Sequence, residues 1–526
     1  MRRELYVKER AMTSKKITEA NKSDSVENYL ANITSTNTTN QATELTTFAL
    51  KRIDLFFDKN KQVYARDKNT QEVWQLASRK FCDWLLSSFY EKNKKIIRIS
   101  SLNETLSTLA GFGRKNGALH EINMRVATIN GSYYIDLCQQ GNSKAIKITP
   151  NGWEVIESPP VMFIRPDSMQ ALPCPEKGSD ALDCLWETCN IPKDCRILIV
   201  AFILECLRPD TPYPVLEILG EQGSAKSTTQ SILRRLIDPN SCDLRAAPKS
   251  VDDLFVSAGS NHIISCENVS HLTPVIQDGM CTISTGGGIA KRKLFFDCDE
   301  IIIHAKNPVM INGITSVISA QDLIDRAISI DLPLIVSREE SPILLKKFNR
   351  YQSKILGSLL NIFSKALSKL PYIDIPSNER PRLVEFSKLG IGVSEAMGYH
   401  GSEFMKSFNR VRLTAIERTI EDNPIATAIL QWFEDSDKKT MELPLHEVLK
   451  QLEKYHPRSS DIWPKTSKAL GDALRRLAPA LRQLGVSVKS RGKHGAYVRW
   501  VFSTCDSQLI SSLPCLHVSS EQDLKT

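Results

Sequence analysis

The stretch that most constrains this chain is GEQGSAKST, Gly220 to Thr228. The apolar run VLEIL, Val215 to Leu219, leads into it, and TTQSILRRLI runs out of it with helical spacing. Strand, glycine loop and helix in that order turn the pattern G-x-x-x-x-G-K-[ST] from a text match into a mechanism. Backbone N–H groups at the helix start point at an anion, and the helix dipole favours it. The loop would be built from Gly220, Gly223, Ser224, Ala225, Lys226, Ser227 and Thr228. Ala225 stands where the pattern has its second glycine. Its methyl group costs roughly 1 kcal/mol if that position needs a positive φ, and little otherwise. The plain alternative is a surface turn before an ordinary helix.

Length and composition set the frame around this loop. The 526 residues leave room for about three domains. Hydrophobic residues make up 41% and charged residues 24%, the balance of a globular protein, with a mild net charge of +8. No segment reaches the roughly 18 apolar residues of a membrane span. The nearest, ILIVAFILECL from Ile197 to Leu207, reads as a buried helix. The N-terminal MRRELYVKERAMTSKK has bases but no apolar core, so it is not a secretory signal. Thirteen scattered cysteines without a C-x-x-C pair argue against a disulfide framework and fit a reducing cytoplasm. Cys174, Cys184, Cys189 and Cys195 are the densest group, read as buried thiols, with a zinc site as the alternative.

Residues 1–45, rich in Ser, Thr, Asn and Lys, read as a flexible lead. Residues 46–190 read as an α+β module. Phe81, Leu85 and Phe89 have helical spacing, and Asn130-Gly131 and Asn151-Gly152 signal tight hairpins. From 191 to 345 apolar strands alternate with helices, the pattern of an α/β nucleotide-binding core. Residues 346–420 read as a helical lid or connector, 421–505 as a compact C-terminal unit and 506–526 as a loose tail.

If the loop holds ATP, Lys226 reaches the β- and γ-phosphates and Ser227 supplies a hydroxyl to Mg²⁺. An acid is then needed at the end of a neighbouring strand. HIISCENVS offers Glu267, with Ser227 the metal-facing pair, and Asn268 stands where a second acid would polarise water. Asp278 is a candidate helper. NPVMINGI ends an apolar run on Asn312, which could touch the γ-phosphate or could simply turn the chain with Gly313. In DLIDRAISIDLP, Arg326 is either a partner of Asp322 or Asp325 or an arginine reaching a neighbouring subunit's ATP. TGGGIAKRKLFFDCDEIIIHAK reads as a hairpin with Lys291, Arg292 and Lys293 at its base, able to grip a nucleic-acid backbone in a ring of subunits. A solvated charged turn is the alternative.

These motifs, in this order, resemble the ATPase core of superfamily III-type helicases, especially those of phage and mobile-element proteins related to poxvirus-type primase-helicases. They are similar, more distantly, to minichromosome-maintenance helicases. The likeness is most specific from Asp194 to Pro333. It implies an α/β P-loop NTPase (AAA+-like) core, active as a hexameric ring that moves along DNA. In that resemblance Ala225 is a tolerated variation, Glu267 departs from the usual Asp, and Arg382 in RPRLVEF falls at the sensor 2 position. No primase motif is present in the N-terminal module, so a primase partner would be a separate chain.

In the C-terminal unit, PIATAILQWFEDSDKK, PLHEVLKQLEKY and SKALGDALRRLAPALRQLG read as helices, the last broken or bent near Pro479. VSVKSRGKHGAYVRWVF reads as a hairpin, which makes a winged-helix domain. Arg475, Arg476, Arg491 and Lys493 lead a run of bases opposed only by Asp461 and Asp472, an electrostatic footprint for phosphate backbone. A protein-binding winged helix is the alternative. Taken together the residues predict an ATP-dependent DNA helicase or translocase. An ATP-switched, DNA-bound initiator with little hydrolysis is the second reading.

Overall fold

The computed structural model describes residues 40–292, 300–335, 339–377, 379–421, 423–436, 438–456, 463–494 and 497–504. Of the residues singled out above, Lys293 and Asp461 lie outside this set, as do the side chains of Lys291 and Arg292.

The chain becomes helical earlier than its composition suggests. Asn40 caps the helix Gln41–Arg52, its Oδ1 accepting from the Thr43 N–H at 2.8 Å. Ala42, Leu45, Phe48 and Ala49 bury one face of that helix, a stripe hidden among the threonines. The expected lead to residue 45 therefore overruns the helix start. A small sheet follows, in the order Val73–Gln75, Val63–Asp67, Ile53–Phe57, Ala118–Leu119. The helices Arg79–Asn93 and Ile99–Asn116 cover it, with Phe81, Leu85 and Phe89 buried.

Next comes an antiparallel meander of Val126–Ile129, Ser132–Asp136, Ala145–Thr149 and Gly152–Ile156. Its first turn is Asn130-Gly131, both at positive φ (51° and 74°), with Ile129 opposite Ser132. The last turn is centred one residue earlier than the Asn-Gly signal. Thr149 pairs with Gly152, so Pro150 and Asn151 make the turn and Gly152 enters the strand.

The central sheet is wholly parallel, in the order Ile264–Cys266, Val309–Asn312, Val215–Leu219, Ala327–Asp331. Val215–Leu219 is buried along its whole length. The helices Lys226–Ile237, Val251–Ala258 and Pro274–Thr285 connect its strands. In the helix Arg196–Glu205 every residue from Ile197 on, the start of the most apolar run of the chain, is buried. Among the described residues no helix is long and apolar enough to cross a membrane.

The expected boundary at 190 cuts through a continuous core. Ile135, Ile146 and Ile148 of the meander share one hydrophobic cluster with Leu198, Phe202 and Phe363. Trp153 Nε1 donates to Asn361 Oδ1 at 2.8 Å, and Ser364 donates to the Thr149 carbonyl at 2.7 Å. The sequence shows the hairpins but not this docking, because the meander is buried against helices far along the chain. The long helix Ser341–Lys369 begins five residues ahead of the expected connector. With Val384–Ala396 and Gly401–Glu421 it packs on the buried helix, and Phe386, Phe404 and Phe408 cluster between them.

The C-terminal unit has helices Pro424–Glu434, Leu445–Leu452 and Ser467–Gln483. They pack on a three-stranded sheet ordered Thr440–Pro444, Tyr497–Thr504, Val486–His494. The third helix runs unbroken through Pro479. Leu474, Leu477 and Leu481 are buried on either side of the proline, so tertiary packing holds both turns in place.

A buried ion network joins the meander to the central sheet. Arg125 Nε meets Asp238 Oδ1 at 2.9 Å, and both side chains are excluded from solvent. The other Arg125 nitrogens donate to the carbonyls of Asp136 and Gln170. Asp238 ends the helix that starts at Lys226. Burial pushes its pKa up, but Arg125, His262 and Arg234 outweigh burial and hold it below the ordinary 3.8. Arg125→Ala removes the nearest partner of that buried carboxylate, leaving Arg234 at 3.7 Å and the His262 N–H at 3.2 Å, and is expected to cost about 3 kcal/mol in denaturant unfolding. A pKa depressed by folding gives stability that is present above the unfolded value and lost as pH falls through the folded one. The stability gap between the parent and Asp238→Asn is thus expected to hold through neutral pH and to narrow only below 3.8.

Candidate functional site

Because all four central strands are parallel, their C-terminal ends share one edge, where open α/β sheets place ligands. Gly220, Asn312, Glu267-Asn268 and Asp331 all lie there. Strands are about 4.8 Å apart, so Glu267, two strands from the loop strand, is roughly 10 Å from it.

The loop turns from strand to helix through special backbone angles. Gly220 has φ +146°, and a Cβ there would sit 2.7 Å from Ser224 Oγ and 2.8 Å from the Leu332 carbonyl. Gly223 has φ +89°. Ala225, at φ +57° and ψ +32°, is left-handed and immediately precedes the helix Lys226–Ile237. The position therefore does require the angle that glycine adopts without penalty.

Lys226 folds over the loop. Its Nζ donates to the carbonyls of Gly220 at 2.7 Å and Glu221 at 2.8 Å. Burial lowers its pKa from the ordinary value. Ser227 and Thr228 follow at the helix start, half-buried. Asn190, which the motifs did not flag, locks the loop from outside. Its Nδ2 donates to the Ser224 carbonyl at 3.0 Å and the Pro333 carbonyl at 2.6 Å. A cavity of about 550 Å³ opens between this loop and the preceding segment, lined by Trp186, Asn190, Arg196, Gly223, Ala225 and Thr228. The Arg196 guanidinium stacks over the Trp186 ring at 5.1 Å.

Behind the loop lies a second unflagged residue, Gln230. Its Nε2 donates to Ser265 Oγ, the Cys266 carbonyl and the Met310 carbonyl at 2.8, 3.1 and 3.3 Å. Its Oε1 accepts from Asn312 Nδ2 at 2.6 Å, and Asn312 Oδ1 accepts from the Asn268 N–H at 2.9 Å. Asn312 is the last residue of its strand and buried, with its amide engaged on both sides. Asn268, at φ +52°, projects from the edge and is exposed. Glu267 is half-exposed, and no bond or ion pair engages its carboxylate among the described residues. Asp278 is exposed on the helix Pro274–Thr285, and no bond links it to the loop among those residues. The one sign of Gln230 in the sequence is its polarity in the buried stripe of Lys226, Leu233 and Ile237.

Glu217, buried in the loop strand, orders the segment after Asn312. Ser316 and Ser329 hydroxyls and the Val317 N–H donate to its carboxylate at 2.5–3.0 Å. Burial raises its pKa and these donors pull it back.

Arg326 sits at the opposite edge. Its carbonyl accepts from the Val215 N–H at the start of the loop strand. Four residues of strand, roughly 13 Å at 3.3 Å each, separate that edge from Leu219. Within the chain Arg326 and the loop do not meet. Arg326 and Arg382 instead share one carboxylate, Asp322.

On the C-terminal unit Arg475, Arg476, Arg491 and Lys493 are all exposed. Arg475 pairs with Asp472 at 2.6 Å, and its guanidinium lies 5.8 Å from the centre of the Trp500 ring. Gly287–Arg292 and Glu300–Ala305 form a separate two-stranded antiparallel ribbon, with Lys291 opposite Ile301 and Arg292 opposite Glu300. The cysteines at 174, 184, 189 and 195 are free, and no cluster with metal-binding geometry occurs among the described residues.

Residues 182–408 match the family model of the actinomycete integrative conjugative element replication protein, and residues 425–506 match that of the AICE RepA C-terminal domain. No curated protein matches the chain. Among solved structures, the apo A form of the NrS-1 C-terminal region is 13% identical, covering 88% of this chain and 99% of that one at a TM-score of 0.41. JCV helicase is 14% identical, covering 41% of this chain and 64% of that one at a TM-score of 0.21.

Ala225→Gly removes the left-handed cost at the loop. It is expected to raise stability by roughly 0.5–1 kcal/mol, read as a higher thermal midpoint. Gly220→Ala is expected to lower it, through the two contacts that its Cβ would force.

Proposed function

We propose that this chain, a replication protein by its match to the family of actinomycete integrative conjugative elements, is an ATP-dependent DNA motor of the helicase or translocase type. One observation carries the reading. The Gly220–Thr228 loop, Glu267, Asn268 and Asn312 gather at one edge of a parallel sheet, and Arg326 lies at the other. That split suits a P-loop site completed by a second protomer, in a ring that is hexameric in the resemblance.

In this reading the N–H groups from Gly223 to Thr228 take the phosphates of ATP. Lys226 exchanges its loop carbonyls for phosphate oxygens, and its half-buried ammonium gains from the added charge. Ser227 and the unengaged Glu267 carboxylate would hold Mg²⁺, whose chemistry would be to neutralise charge on the phosphates. Asn268 orients the attacking water, with Asn312 fixing its backbone. The nucleoside takes the cavity beside Trp186 and Asn190. Arg326 of one protomer reaches the γ-phosphate bound by the next. The C-terminal unit is a winged helix whose exposed bases hold DNA, with the basic ribbon at Lys291 and Arg292 as a second contact.

The switch reading keeps one observation in its favour. Glu267 has no neighbouring acid, and Asn268 is no base. Steady-state ATP hydrolysis with single-stranded DNA separates the two readings. Stimulated turnover and strand displacement on a forked duplex support the motor. Tight ATP retention without turnover supports the switch.

Lys226→Ala in the full chain is expected to abolish ATP turnover and leave salt-dependent DNA binding intact. Arg476→Ala is expected to weaken DNA binding across sequences and to lower the slope of log K against log salt by about 0.9. A chain that stays monomeric with magnesium nucleotide, and turns over unchanged as Arg326→Ala, would sink the motor reading.

A further inference from the structure

Two arginines from different parts of the chain converge on one acid. Asp322 lies on the short helix Gln321–Ile324, half-exposed. Its Oδ2 accepts from Arg326 Nη1, four residues on, in a charge-assisted bond. Its Oδ1 accepts from Arg382 Nη2 at 2.6 Å. Arg326 also donates to the Asp322 carbonyl at 3.3 Å. The neighbouring acid is not free to help, because Asp325 is taken by Arg412 at 3.1 Å.

The surroundings make this a defined site. Arg382 is exposed between Pro381 and Leu383, both buried, so its backbone is anchored while its head faces outward. Arg326 is nearly buried, its side chain 12% exposed against 45% for Arg382. Cys281 packs beside the pair from the helix Pro274–Thr285. Burial, then Asp322, pushes its thiol up to about 11, so it adds no charge at neutral pH. Two guanidiniums and one carboxylate leave one net positive charge. Each arginine keeps unused N–H donors in its planar fork.

We propose that Asp322 is a positioning residue that sets Arg326 and Arg382 side by side as one double-guanidinium site for the terminal phosphate of the nucleotide on a neighbouring copy. It rests on the reading that Arg326 completes that site. A lone long arginine loses rotamer freedom when it docks on phosphate. A carboxylate that already gathers both heads removes part of that cost before the nucleotide arrives. Asp322 itself touches no substrate.

The test is turnover by the full chain with magnesium ATP, alongside the affinity of a fluorescent ATP analogue. Asp322→Ala and Asp322→Asn are expected to lower kcat by about 10- to 100-fold, the scale of a misplaced catalytic group. KM and analogue affinity stay near the parent's, because the variant keeps its own loop. Asp322→Glu restores part of the rate. Mixing gives the sharper arm. Lys226→Ala has a dead loop but intact arginines, and Asp322→Ala has the reverse. Mixed assemblies pair the good loop of one with the good arginines of the other. Turnover in the mixture is expected to exceed that of either variant alone.

If Arg326→Ala is inactive while Asp322→Ala and Asp322→Asn turn over like the parent, or faster, the Asp322 role is overturned and the motor reading stands. If Arg326→Ala itself is unaffected, the motor reading has failed instead. Should Asp322→Ala not fold, Asp322→Asn carries both arms. A mixture no better than its components, with both variants folded and co-assembled, also overturns the proposal.

Discussion

The edge of the central sheet is held in register by the side chain of Gln230. Its amide reaches Ser265, Cys266 and Met310 through the nitrogen and Asn312 through the oxygen. Four groups on two strands are thereby tied to the first turns of the helix that follows the glycine loop. A buried amide has few places to put its donors and acceptor, and an unmet one is costly. That economy makes the arrangement nearly unique. Moving the helix by a fraction of a turn would strand several polar atoms in a dry interior at once. Asn312 then passes the constraint to the Asn268 backbone. The proposed phosphate loop and the proposed water-orienting residue are one hydrogen-bonded unit, although they are far apart in sequence.

The meander Val126–Ile156 is built into this unit. Its apolar face belongs to the core that also contains the buried helix Arg196–Glu205. Its ion network extends from Glu72 through Arg165 and Asp136 to the site where Arg125 meets Asp238. Asp238 terminates the helix whose first residue is Lys226. Buried ion pairs add little net stability by themselves, because desolvation offsets their attraction. Their effect is geometric: each arginine fork accepts few alternative partners, which fixes the angle at which the meander meets the sheet.

Local signals in the sequence carried a large part of this architecture. The strand, loop and helix around Gly220 to Thr228 were legible because glycines, an apolar pentamer and a 3.6-residue stripe coincide there. The stripe of Phe81, Leu85 and Phe89 and the turn at Asn130-Gly131 are equally local. What stayed hidden depends on distant partners. Gln230 and Asn190 have unremarkable neighbours in sequence, and only the fold shows which carbonyls they reach. The helix start at Gln41 was masked by threonines whose polarity outweighs, in any composition count, the buried stripe beneath them. The unbroken helix at Pro479 shows the reverse case, a strong local breaker overruled by leucines packed on both sides.

The helix Gly401–Glu421 meets the strand Ala327–Asp331 at both of its ends. Arg418 holds Asp331 at 2.5 Å beside the glycine loop, and Arg412 holds Asp325 at 3.1 Å, one residue before Arg326. A third clasp, Arg410 to Asp194 at 2.6 Å, fastens the same helix to the segment that leads into the buried helix. The strand is thus a rung fixed between two rigid rails. In the proposed motor, a displacement at the glycine loop would be carried along that braced strand to Arg326, which couples the two ends of the proposed site without loose loops.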